Sequence, residues 1–70
     1  MKWTGVLVRV DLGPGLWVLQ TDDGKEHKLD GRVPEGLADK RVVVEGRRSR
    51  ALGIGMLGGG TIEVKKVRRA

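Results

Sequence analysis

Apolar residues recur at every second position along much of this chain, the pattern of strands that keep one face dry. Within residues 3–10, Val6, Val8 and Val10 alternate with Leu7 and Arg9, and the valines read as the inward set. Residues 16–21 open Leu16, Trp17, Val18, Leu19, apolar on both faces. Either Trp17 and Leu19 or Leu16 and Val18 must then be exposed or covered from outside the sheet, and the pattern leaves both registers open. Residues 25–30 set Lys25, His27 and Leu29 against Glu26, Lys28 and Asp30, which predicts a polar strand with His27 in solvent. Residues 39–46 hold the longest β-branched run, Val42-Val43-Val44, whose crowded Cβ atoms suit a pleated surface better than a helix. In the last strand, residues 61–69, Ile62 and Val64 share a face and Val67 falls out of phase. A bulge near Lys65-Lys66 restores its phase.

The segments between these strands carry turn chemistry. Asp11-Leu12-Gly13-Pro14-Gly15 joins the first two strands, and Thr21-Asp22-Asp23-Gly24 predicts a hairpin with glycine at the left-handed position. Residues 31–39 contain Pro34 and Gly36, leaving room for one helical turn around Pro34 to Ala38, with Val33 and Leu37 closing one end of the core. Residues 51–60 are glycine-rich yet carry Leu52, Ile54, Met56 and Leu57, a loop that either plugs the barrel mouth or meets a partner. Five short strands joined by turns predict an all-β chain: one domain, residues 1–70, folded as a small five-stranded antiparallel barrel. Its expected core is Val6, Val8, Val10, Leu19, Leu29, Val42, Val44, Ile62, Val64 and Val67.

Composition narrows the chemistry. With no cysteine and a single histidine, His27, neither disulfides nor a thiolate or histidine metal site is expected. No run approaches membrane-spanning length, and nothing at the N-terminus reads as a secretory signal, so a cytoplasmic protein without a membrane partner is expected. Arg (8) exceeds Lys (6) and asparagine is absent, which leans towards a thermophile or a GC-rich genome. The net charge of +5 is unevenly spread. Residues 1–39 hold 5 basic and 7 acidic side chains (−2), whereas residues 40–70 hold 9 and 2 (+7). A basic half on a small domain points to an anionic partner, most often nucleic acid.

The stretches Gly5-Val6-Leu7-Val8, Trp17 to Gly24, Lys40 to Gly46 and Thr61-Ile62-Glu63-Val64 resemble the oligonucleotide/oligosaccharide-binding (OB) fold. They look most like short uncharacterised bacterial domains of that barrel type, and the resemblance implies a binding module; an SH3-like barrel is the alternative architecture. The first and fourth strands are also similar to those of bacterial translation initiation factor 1. Ribosome binding is not carried over, because Arg32-Val33-Pro34-Glu35 stands where that family has a basic loop.

The candidate nucleic-acid residues are Arg47, Arg48, Arg50, Lys65, Lys66, Arg68 and Arg69, which a hairpin of strands four and five brings together. Trp3 and Trp17 are the only large flat rings available for stacking bases, and of these Trp17 is the candidate, although a wall residue of the core is its plainer role. The rival function is protein interaction or self-assembly through Leu16, Val18, Ile54, Met56 and Leu57. No cofactor is expected. Gly53-Ile54-Gly55-Met56-Leu57-Gly58 matches G-x-G-x-x-G, but more glycine and a strand follow it where a dinucleotide site needs a helix. Asp22-Asp23 reads as turn chemistry, and no base or nucleophile stands beside it, so no enzyme is expected.

Overall fold

The computed structural model describes residues 1–11, 13, 15–49 and 60–70. Its strands are β1 (Lys2–Val10), β2 (Leu16–Thr21), β3 (Glu26–Asp30), β4 (Arg41–Arg48) and β5 (Gly60–Arg69), with a single 3-10 turn over Glu35–Leu37 before β4. They close a barrel in the order β1-β2-β3-β5-β4. The all-antiparallel expectation is corrected here. Directions cannot alternate all the way round a ring with an odd number of strands, so one neighbouring pair must run parallel. That pair is β3 and β5, with Leu29 beside Ile62, while every other pair is antiparallel.

Local chemistry explains the joints. Gly24 takes φ +84, its amide donates to the Thr21 carbonyl at 3.0 Å, and the Thr21 amide donates to the Lys25 carbonyl at 2.9 Å. This is the tight β2–β3 hairpin expected of Asp-Asp-Gly. Before β4, Asp39 adopts the left-handed conformation, φ +64, which short polar side chains tolerate best among non-glycine residues. Its amide donates to the Leu7 carbonyl at 2.6 Å, and the Leu7 amide donates to the Lys40 carbonyl at 3.0 Å. In β5 the expected bulge is present: Glu45 pairs with Lys66 but Gly46 pairs with Val64, so Lys65 is the additional residue. Val67 thereby packs against the core.

The core is Leu7, Leu19, Leu29, Val42, Val44 and Ile62, with Trp3, Trp17, Val33, Leu37, Val64 and Val67 packed around it. Truncating a fully buried leucine such as Leu19 to alanine costs about 2–5 kcal/mol, a large part of what so short a chain has available. Two expectations fail. In β1, Leu7 is the buried residue and Val6, Val8 and Val10 are only half-buried, so the inward face carries Trp3, Gly5 and Leu7. His27 is buried at 3% exposure, not solvent-facing, because it shares the inward face of β3 with Leu29. In β2 the open choice resolves with Trp17 and Leu19 on the core side. Val18, on the opposite face, is nonetheless only 2% exposed.

Candidate nucleic-acid interface

The outer face of the β4–β5 ladder follows from alternation. Val42 and Val44 point inward, so Arg41, Val43 and Glu45 point outward. The register sets Arg68 beside Val43, Lys66 beside Glu45 and Glu63 beside Arg47. Lys2 of β1 lies on the other side of Glu45. The wall therefore carries Lys2, Arg41, Arg47, Lys66 and Arg68, with exposed Lys65 at the bulge, interrupted by Glu45 and Glu63.

Some of these cations are already engaged. Arg47 meets Glu63 at 3.3 Å, and Lys2 reaches Glu45 at 3.9 Å. Arg41 forms a two-pronged bond to Asp22, at 2.9 and 2.6 Å, tying the β2–β3 turn to the start of β4. That guanidinium holds the Asp22 carboxyl below its ordinary value of 3.8. Asp23 is lowered by the Thr21 hydroxyl, which donates to it at 2.5 Å, and by the Lys25 amide at 3.2 Å. Both aspartates are thus spent on the turn. Lys65, Lys66 and Arg68 make no ion pair or side-chain hydrogen bond with any described residue. They are the part of the wall available to an anion.

The other candidates are dispersed. Arg48 pairs with Ile62 and Arg69 with Val42, so they follow the inward phase at opposite ends of the barrel, both exposed. Arg50 lies outside the described residues, as do Ile54, Met56, Leu57 and the rest of the G-x-G-x-x-G match. Trp17 packs against the core, and the Arg9 guanidinium sits 5.5 Å from its ring centre while also meeting Glu35 at 3.5 Å. One face of that indole is therefore occupied. Leu16 and Val18 share the outward face of β2, and Val18 pairs with Val8 of β1. Among the described residues no three His, Asp or Glu side chains gather to hold a metal, and no helix is long and apolar enough to cross a membrane.

A family model described as protein of unknown function (DUF5818) matches residues 4–70. The chain belongs to this family. The match begins inside β1 and takes in β2 to β5, so the DUF5818 unit coincides with the barrel itself. No curated protein and no solved structure matches the chain.

Two features escaped the sequence reading. A groove of about 480 Å³ runs past the bulge between Lys2, Glu45, Arg47, Glu63 and Lys65. A second cleft, of about 310 Å³, opens at the end of the barrel beside Trp3, His27 and Arg48. The signal for the second was the spacing of Trp3, Gly5 and Leu7, which share a phase and follow Leu7 inward.

Proposed function

We propose that this barrel is a non-enzymatic binding module that holds nucleic acid by its phosphate backbone on the outer face of β4 and β5. The observation that carries this reading is the run Lys65, Lys66 and Arg68, exposed on one wall and free of ion pairs among the described residues. Clustered, uncommitted cations release condensed counterions when they meet phosphates, and this release drives such binding. A five-strand barrel closed through one parallel pair supports an OB-type architecture, a frequent scaffold for oligonucleotide binding. The absence of an apolar leader or span fits a cytoplasmic setting, the resemblance to short bacterial barrel domains a bacterial one, and the composition a thermophile or a GC-rich genome.

Fluorescence anisotropy of a labelled oligonucleotide at low salt tests the reading. The double substitution K66E/R68E removes two positive charges and adds two negative ones, and the expected loss is about tenfold or more in affinity. Unchanged affinity in that variant, or no binding of the unmodified protein at low salt, contradicts it.

A second reading, self-assembly, draws on half-buried Leu16 of β2 and Val8 and Val10 of β1; Val18, expected to join them, is only 2% exposed and offers no surface to a partner. It predicts a dimer that persists at high salt, and a monomeric sedimentation profile at high protein concentration removes it.

A further inference from the structure

The barrel-end cleft combines a flat ring with positive charge. Trp3 is half-buried on the inward phase of β1, and its ring centre lies 6.1 Å from that of His27 at an interplanar angle of 51°. The tilted contact with a buried neighbour on β3 fixes the indole in place. Arg48, on the inward phase of β4, lines the same cleft, as do Lys2 and Lys25. Asp22 and Asp23 also line it, but Asp22 is engaged by Arg41, and Asp23 by the Thr21 hydroxyl and the Lys25 amide. The Arg48 side chain makes no ion pair or hydrogen bond with a described residue. Lys2 borders both this cleft and the groove past the bulge. Trp17 does not duplicate this arrangement: it pairs with Arg9, six residues farther along β1, about 20 Å away at strand spacing.

We infer that the Trp3 cleft is a base-stacking subsite for single-stranded nucleic acid, with Trp3 receiving one unpaired base and Arg48 a flanking phosphate. The inference rests on the nucleic-acid reading above and adds to it a preference for strands whose bases are free. A base in a duplex is stacked and paired, so it cannot enter the cleft without being extruded. A single-stranded base has only its flexible backbone to rearrange. The chemistry is shared by DNA and RNA.

The test compares oligodeoxyuridylate, oligouridylate and an abasic oligodeoxynucleotide of equal length and charge, titrated against the unmodified protein and against W3L. Leucine preserves apolar packing at the barrel end while removing the flat ring. The fluorescence of W17F, in which Trp3 is the sole indole, reports stacking directly. The expected results are affinity for the base-bearing strands about tenfold or more above the abasic one, loss of that difference in W3L, and quenching of Trp3 emission only by strands with bases. The tighter of the two base-bearing polymers identifies the natural sugar. Equal affinity for abasic and base-bearing strands overturns the subsite and leaves the phosphate-binding wall standing, as does a base preference that survives in W3L. No binding of any of the three at low salt overturns both. The abasic comparison needs no substitution, so poor folding of W3L does not remove the test.

Discussion

Gly46 sits where β5 carries one residue more than β4, and a Cβ built there overlaps the Glu63 carbonyl. Gly5 is placed the same way against the Gln20 carbonyl of β2. Neither obstacle is the movable tip of a side chain, so relief requires the strands to part. G46A and G5A are each expected to lower unfolding free energy by at least about 2 kcal/mol in urea titrations, although alanine has the better intrinsic propensity. Gly24 offers a contrast: nothing lies near its missing Cβ, and its requirement is the positive φ alone. The turn aspartates add a pH dependence. Asp22 is held below 3.8 by Arg41, so its contribution is fully present above that value and is lost as pH falls through the lower folded value. D22N should therefore be less stable than the unmodified protein at neutral pH, and the difference in Tm should shrink as pH is lowered from about 5 towards 2. A difference that stays constant with pH contradicts a charge-based role for this pair.

At the scale of elements, the sequence announced the strands and turns but misjudged which face of β1 is dry and how deeply His27 of β3 is buried. Alternation in β1 gives two sets, Val6, Val8, Val10 and Trp3, Gly5, Leu7, Arg9, and the first looks more like a core because it is purely β-branched. Both faces of β2 are apolar in the sequence, but residue type alone could not reveal that β1 turns its valines outward beside it. What settles the phase lies outside β1 itself: Leu7 pairs with Leu19 of the neighbouring β2, and Gly5 permits close approach to that strand. His27 was misplaced for a related reason, since the polar neighbours on β3 hid that Leu29 draws it inward. The bulge in β5 was legible because Val67 breaks a period of two, a purely local sign. That a closed ring of five strands must contain a parallel pair was legible in principle from the odd count, but that the pair is β3 and β5 was not. Alanine substitution tests the corrected phase: L7A should cost about 2–5 kcal/mol and V8A about 1 kcal/mol or less. Equal losses at the two positions would restore the valine-inward reading.

For the whole molecule, the division of charge along the chain becomes a division in space only in part. β4 and β5 are neighbours, so Arg47, Lys65, Lys66 and Arg68 share a wall, joined by Lys2 from β1. Arg48 and Arg69 leave it because the barrel's alternation sends them to its two ends. A sequence tally counts these charges alike; the pleat separates those that line a wall from those that frame an opening. The wall is the feature on which the proposed function stands, and its most direct test is the affinity for a single-stranded oligonucleotide measured across a range of salt concentrations. Engagement of about four phosphates by the wall and Arg48 predicts a slope of log affinity against log salt near −3, reduced by roughly 1 to 2 when Lys66 and Arg68 are neutralised. A slope near zero, or one that the substitutions leave unchanged, contradicts a phosphate-binding wall.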